Sequence, residues 1–269
     1  MRTLKITLAY DGTRFVGWQR QAEGDSIQGL LEEALAKFEG APVTVHGAGR
    51  TDAGVHALGQ VASAHVAFTH TPATLGRALN ASLPDDIRVL DIAEAPPDFH
   101  ARFSARSKRY RYQLRTSQVG DPFTRAFEWQ LSERLDVDSM RAAAASLVGT
   151  HDFAAFQSAG TDVTSSIRTI FRSEIRGLEG SAPLLVGHGS SISQSGADPL
   201  GPRSVLVYEV TADGFLRHMV RAIVGTLVEI GRGWRPVASV TQLLDGGTRA
   251  DAGATAPPHG LFLVRVDYD

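Results

Sequence analysis

One glycine-rich stretch combines residue types that could do chemistry. Residues 47–56 read Gly-Ala-Gly-Arg-Thr-Asp-Ala-Gly-Val-His, so Arg50 and Asp52 lie two positions apart among small residues. Glycine lets the backbone turn tightly and lets a substrate approach closely. Catalytic carboxylates are often placed on loops beside a sheet. The alternative is an ordinary turn in which the Asp52 side chain accepts a backbone N–H.

Arg50 and Asp52 could also act as a pair. In a strand-like segment, positions two apart face the same side. A guanidinium close to a carboxylate lowers the carboxylate pKa and keeps it ionised. Such a pair would hold Asp52 ready as a nucleophile or base, whereas a solvated surface arginine is the alternative for Arg50.

Other chemistries lack their motifs. The nine histidines have no ligand spacing, and there is no phosphate-binding glycine loop with lysine and no Gly-x-Ser-x-Gly elbow. With zero cysteines, disulfides and thiolate metal sites are excluded. These absences disfavour metal and nucleotide cofactors and leave a carboxylate, an arginine, aromatic residues and a basic surface.

The basic surface is concentrated in one segment. Residues 101–115 contain six basic residues and no acidic one. If residues 107–114 form a strand, Tyr110 and Tyr112 share one face while Arg109 and Arg111 occupy the other. Tyr110 then belongs either to the core or to a site beside it.

The elements that must position these residues follow from periodicity. Alternation predicts a strand over residues 4–10, and a helical period between Ser26 and Gly40 predicts a capped helix. A helix over 72–83 and a strand over 87–92 follow. This order of strands and helices predicts a ferredoxin-like α+β half.

Pro96-Pro97 marks a hinge, and similar patterns resume after it. We expect an N-terminal half, residues 1–105, that carries the Asp52 loop, and a C-terminal half, residues 106–269. Residues 177–201 are rich in glycine, serine and proline without periodicity, which predicts a mobile surface loop. The further predicted strands are 107–114, 168–175, 205–210 and 261–266, and the further helices are 137–147, 215–231 and 236–244.

Composition sets outer bounds. A chain of 269 residues with 43% hydrophobic and 21% charged residues is typical of a globular protein. No apolar run is long enough to span a bilayer, and no signal peptide is evident, so we expect a cytoplasmic protein. Missing cysteines fit an oxidising compartment equally well. The net charge is −2, and only three of the 27 basic residues are lysine. Arginine suits phosphate recognition, although a preference for arginine codons has the same effect.

Residues 49–56, Gly-Arg-Thr-Asp-Ala-Gly-Val-His, resemble the signature of the TruA family of tRNA pseudouridine synthases, which modify the anticodon arm. Further matches are spread along nearly the whole chain. They comprise residues 10–12 with 15–21, 80–84, 98–105, 109–112, 218–221 and 260–264. The resemblance implies the pseudouridine synthase fold, in which two ferredoxin-like halves share one mainly antiparallel sheet with helices packed on it.

The resemblance also implies a reaction and its residues. The enzyme would isomerise uridine to pseudouridine at positions 38, 39 and 40 of the anticodon stem-loop without a cofactor or metal. Asp52 corresponds to the nucleophile, with Arg50 beside it. Tyr110 corresponds to a tyrosine that stacks on the base and assists loss of the C5 proton. Leu263 corresponds to an apolar pocket residue, although the sequence alone reads it as core.

The partners implied are tRNA and a second copy of the chain in a homodimer. The residues expected to bind RNA are Arg14, Arg20, Arg102, Arg109, Arg111, Arg217, His218 and Arg221. Two departures from the family pattern affect the segment that carries the last three of them. Arg217 stands where some relatives have histidine, and Ala222 where they have asparagine.

Two other functions stay open. A glycoside hydrolase could use Asp52, but it needs a second carboxylate, for which Asp11 and Asp213 are candidates. Such an enzyme would release free uracil. A non-catalytic RNA-binding protein on the same fold is the other alternative, and it would keep its activity after Asp52→Asn.

Overall fold

The computed structural model describes residues 1–158, 160, 164–178 and 204–268. Ten strands are found there: β1 Arg2–Tyr10, β2 Val45–Gly47, β3 His56–Val66, β4 Ile87–Ala95, β5 Ser107–Thr116, β6 Trp129–Leu131, β7 Gly149–Asp152, β8 Ile167–Leu178, β9 Ser204–Ala212 and β10 Leu261–Asp267. Five α-helices accompany them: α1 Ile27–Glu39, α2 Pro72–Ser82, α3 Val137–Ala145, α4 Met219–Gly231 and α5 Ser239–Leu244. The predicted α+β class, with a large mixed sheet, is confirmed.

The described residues form two compact units. The first contains residues 1–110, 211–214 and 262–269, and the second contains 111–210 and 215–261. We predicted two consecutive halves that divide between residues 105 and 106. The two units, by contrast, each combine separate stretches of the chain. Apart from residues 177 and 178, which end β8, the predicted mobile loop 177–201 lies outside the described residues. No helix in the described part of the chain is long and apolar enough to cross a membrane.

The sheet order in the first unit is β4-β1-β3-β10, with β2 paired to β3. β1 is antiparallel to both β3 and β4, and its inward residues Leu4, Ile6 and Leu8 are fully buried. The start of β3 pairs in parallel with β10, where Phe262 lies opposite His56. Strand β3 therefore lies between the first and the last strand of the chain, β1 and β10, in one layer.

Helix α1 begins and ends where its sequence predicts. The Ser26 hydroxyl accepts the Gly29 N–H, and Gly40 takes φ 72° while its N–H donates to the Ala36 carbonyl. A hydroxyl at the N-cap satisfies an otherwise unpaired N–H, and glycine adopts the left-handed conformation of the C-cap at little cost. The cap residues alone thus predict this helix within one residue at each end.

In the second unit the strand order is β5-β9-β8-β7, with β6 in parallel beside β5. Helix α4 is almost fully buried and packs against α3. It begins at Met219, later than the predicted start at residue 215, because His218 has φ 62°. A left-handed residue cannot continue a right-handed helix backwards, so the chain turns before α4.

Candidate active site

The glycine-rich stretch is the connection between β2 and β3. At its start the Ala48 N–H donates to the Val61 carbonyl over 2.8 Å, which ties the connection to β3. At its end the Val55 N–H donates to the Asp52 carbonyl over 3.1 Å, closing a four-residue turn. Gly54 has φ 75° in this turn, a conformation that glycine adopts freely. Asp52 therefore stands half-buried at the first position of a tight, hydrogen-bonded turn.

The segment after β1 lies directly against this turn. The Trp18 N–H donates to the Thr51 carbonyl over 3.0 Å. A Cβ on Gly12 would overlap the Val55 carbonyl, and one on Gly17 would lie 2.6 Å from the Thr51 oxygen. The two backbones can approach this closely only because both residues lack a side chain.

Three buried polar side chains support the turn from within the first unit. The Tyr10 hydroxyl and the Thr51 hydroxyl share a hydrogen bond of 2.9 Å. The Gln60 amide donates to the Gly49 carbonyl over 2.8 Å and to the Tyr10 hydroxyl over 3.3 Å. Burial raises the pKa of Tyr10 to about 12, while the hydrogen bonds from Thr51 and Gln60 oppose that rise. The neutral phenol therefore holds the residue that precedes Asp52.

Tyr110 lies within electrostatic range of Asp52. The side chain is buried at 6% exposure, and burial is the largest cause of its raised pKa. The charges of Tyr10 and Asp52 raise the pKa further. A phenolate close to a carboxylate is disfavoured, so Tyr110 stays neutral at physiological pH.

The other two predicted catalytic-site residues are placed differently. Arg50 is exposed, and within the described residues its guanidinium forms no ion pair with Asp52. The expectation of a pair rested on strand alternation, whereas Arg50 and Asp52 lie in the connection between β2 and β3. Leu263 is fully buried in β10, opposite Ala57 in the parallel pairing with β3.

A buried histidine next to the turn was not singled out from the sequence. His56 is 1% exposed, and its ring stacks on Phe262 with centroids 4.8 Å apart. Its Nδ1 lies 3.0 Å from the Gly12 nitrogen and 3.1 Å from an Asp11 oxygen. The signal available in the sequence was that Asp11-Gly12 and His56 both belong to the matched motifs.

Asp11 is already committed to local contacts. The same oxygen that approaches His56 accepts the Thr13 N–H over 2.9 Å and the Thr13 hydroxyl. Among the residues that the structure describes, no three histidine, aspartate or glutamate side chains are grouped so that they could hold a metal ion.

Some of the predicted RNA-binding arginines of the first unit form ion pairs with carboxylates, and others do not. The Arg14 Nε lies 2.6 Å from Asp86, and Arg20 lies 3.1 Å from Glu32. Arg109 is half-buried, and its Nε has no hydrogen-bond partner among the described residues. Arg102 is exposed, with its guanidinium 5.6 Å from the Phe103 ring centre.

Those of the second unit are mostly engaged in contacts within that unit. Arg111 makes two hydrogen bonds, of 2.9 and 2.8 Å, to one oxygen of Glu209. Arg217 is exposed, and the His218 Nδ1 lies 2.8 Å from the Ser158 hydroxyl. The Arg221 Nε donates to the Ala256 carbonyl over 2.8 Å.

Comparison with known proteins identifies the family of this chain. A family model described as tRNA pseudouridine synthase matches residues 6–104 and 143–269. The chain is 44% identical over 279 residues to a tRNA pseudouridine synthase A of Nitratidesulfovibrio vulgaris (strain DSM 19637 / Miyazaki F), covering 100% of both chains. It is 41% identical over 269 residues to the protein of that name from Geobacillus sp. (strain WCH70), covering 100% of this chain and 99% of the relative. For the Myxococcus xanthus protein of that name the identity is 41% over 268 residues, with coverages of 100% and 92%. The chain therefore belongs to the tRNA pseudouridine synthase family, whose members are isomerases acting on uridine in tRNA.

Proposed function

We propose that this protein isomerises uridine to pseudouridine at positions 38, 39 and 40 of the tRNA anticodon stem-loop, with Asp52 as the nucleophile. One observation supports this above all. Asp52 stands half-buried on a rigid turn, and its charge raises the pKa of the buried Tyr110 phenol. A carboxylate and an aromatic ring are thus close together in one compact unit.

The reaction needs no oxidant and no added group. The Asp52 carboxylate attacks C1′ of the ribose, the N1–C1′ bond breaks, and the uracil leaves with the electron pair on N1. The uracil turns so that C5 attacks C1′ and expels the carboxylate. C5 then loses its proton and N1 gains one, which balances the isomerisation without a cofactor.

Tyr110 has two properties that suit the second part of this reaction. Its ring offers a flat apolar surface for a base that has left the RNA stack. Its raised pKa keeps the phenol protonated, so it can donate a hydrogen bond to the uracil while the base turns. These two properties support base stacking by Tyr110, and the family resemblance is the ground for assigning it assistance in proton loss at C5.

Arg50 and Leu263 are assigned on sequence grounds. Arg50 is exposed two residues from Asp52, so its side chain is free to swing toward the carboxylate when substrate is bound. Leu263 is fully buried on β10 and would form the apolar floor of the uracil pocket. The eight predicted RNA-binding residues are the candidates for phosphate contacts, although Arg14, Arg20 and Arg111 are paired with carboxylates in the structure. We propose that the protein acts in the cytoplasm as a homodimer.

Release of tritium from tRNA that carries 5-tritiated uridine tests the proposal, because C5 must lose its hydrogen. The wild type releases label, whereas Asp52→Asn releases none and still binds tRNA. Asp91→Asn on β4 is the matched control, since it removes an exposed carboxylate from the same unit and leaves the rate unchanged. Full label release by Asp52→Asn overturns the assignment of the nucleophile.

Two further measurements separate the alternatives. Free uracil in the reaction mixture would indicate a hydrolase, which needs a second carboxylate. Asp11, one candidate for that role, is held by Thr13 instead. Sedimentation velocity tests the homodimer, and a monomer at micromolar concentration would exclude it.

A further inference from the structure

Three neighbouring aromatic rings lie at the surface of the first unit, with adjacent ring planes tilted by 31° and 36°. They have no role in the chemistry above. The ring centres of His46 and His100 are 4.8 Å apart, and those of His100 and Phe103 are 4.4 Å apart. Phe103 is 76% exposed and His46 is exposed, while His100 between them is half-buried. We call His46, His100 and Phe103 the ring stack. Exposed aromatic rings in a row are unusual on a soluble surface unless something binds there.

The ring stack is rigid because the turn that carries two of its rings is held from both sides. The Ala101 N–H donates to the Ser63 hydroxyl over 3.1 Å, and the Ala101 carbonyl accepts the Tyr268 hydroxyl over 2.8 Å. Ser63 on β3 is also the residue opposite His46 on β2. One residue of β3 thus aligns both segments that contribute rings.

His100 is fixed in orientation and kept neutral. Its Nδ1 accepts the Arg102 N–H over 3.1 Å and the Phe103 N–H over 3.3 Å, so the ring proton resides on Nε2. Burial and the neighbouring His46 lower the pKa of His100. A neutral imidazole adds a flat surface to the stack without the cost of a buried charge.

A cation without a carboxylate partner stands beside the ring stack. The Arg102 guanidinium lies 5.6 Å from the Phe103 ring centre and forms no ion pair within the described part of the chain. Arg14, Arg20 and Arg111, by contrast, are each bound to a carboxylate. Arg102 therefore offers an unneutralised charge next to an exposed ring.

We propose that the ring stack and Arg102 form a binding site for one unpaired nucleotide of the RNA substrate, outside the Asp52 site. The base stacks on Phe103, and Arg102 pairs with the adjoining phosphate. Aromatic side chains stack on unpaired bases in many RNA-binding proteins, with arginine on the backbone. A protein partner is disfavoured by the unpaired guanidinium, which suits a polyanion. The proposal rests on the proposed function only in taking tRNA as the partner.

Two variants test the two halves of the site by equilibrium binding of tRNA. Phe103→Ala removes the stacking surface, so Kd rises by about 5- to 150-fold while the slope of log Kd against log salt stays unchanged. Phe103→Tyr keeps the ring and binds like the wild type, whereas Phe103→Leu binds like Phe103→Ala. Arg102→Ala lowers the salt slope by roughly 0.7 to 1.

Phe123→Ala is the matched control, because Phe123 is an 89% exposed phenylalanine outside the ring stack. Unchanged tRNA affinity of Phe103→Ala, or equal losses in Phe103→Ala and Phe123→Ala, would overturn the proposal. So would a changed sedimentation coefficient of Phe103→Ala with unchanged affinity, because it would identify the ring stack as a surface for self-association. The binding assay does not depend on turnover. A wild type that binds tRNA but releases no tritium would therefore refute the proposed function, while the binding of tRNA to the ring stack could still be measured.

Discussion

Substituting Gly17 by alanine should move Asp52, the proposed nucleophile, without changing the Asp52 side chain. An added Cβ would lie 2.6 Å from the Thr51 oxygen and 3.1 Å from the Asp52 carbonyl carbon. An ordinary contact is at least 3.4 Å, so the Thr51 carbonyl must recede by about 0.8 Å. The Trp18 N–H bond to that same oxygen resists the movement. A misplacement of about 1 Å costs on the order of 100-fold in rate, so we expect kcat to fall by roughly 10- to 100-fold with little change in KM.

The matched control is Gly40→Ala. Gly40 also has a positive φ, 72° against 106° for Gly17, but a Cβ there would meet nothing within 4 Å. Both variants pay about 1–3 kcal/mol of backbone strain, seen as a lower melting temperature, whereas only Gly17→Ala should lose rate in the tritium-release assay. If Gly17→Ala kept kcat within twofold of the wild type at a temperature where it is folded, the view that this glycine positions Asp52 would be wrong.

Three further changes have defined outcomes. Thr51→Val removes the hydrogen bond to the Tyr10 hydroxyl, so kcat should fall by roughly five- to tenfold at unchanged KM, measured by single-turnover tritium release. Burial raises the pKa of Tyr10 to about 12, so the unfolded state loses this proton first. The free energy of unfolding should fall by about 2 kcal/mol as pH rises from 10 to 12, and Tyr10→Phe should remove that part of the slope in urea titrations. Arg111→Ala leaves Glu209, whose side chain is 10% exposed, without its guanidinium, and should lower stability by about 3–5 kcal/mol in the same titrations.

Local signals in the sequence predict the elements of this fold well. The Ser26 cap and the Gly40 stop define α1, and strand alternation defines β1, because both signals act between residues close in the chain. The start of α4 was placed too early, because the left-handed φ of His218 leaves no mark on hydrophobic periodicity.

The site was predictable only in part. The glycine-rich motif located Asp52, because a tight turn against another backbone needs small residues. Spacing in the sequence does not reveal that Arg50 is exposed. It also does not reveal that Tyr10 and Gln60, which are distant in the chain, are hydrogen-bonded beneath the Asp52 turn. His46 and Phe103 of the ring stack are 57 positions apart in the sequence, so no local sequence pattern predicts that they lie close together.

The discontinuity of the first unit also bears on when activity arises during synthesis. β3, which follows the Asp52 turn, is paired with a strand whose residues are translated about 200 positions later. A ribosome must complete residues 111–261 before the segment that stacks Phe262 on His56 emerges. A nascent chain therefore carries Asp52 long before the last strand of that layer is available, so we expect activity only after the C-terminal segment has been translated.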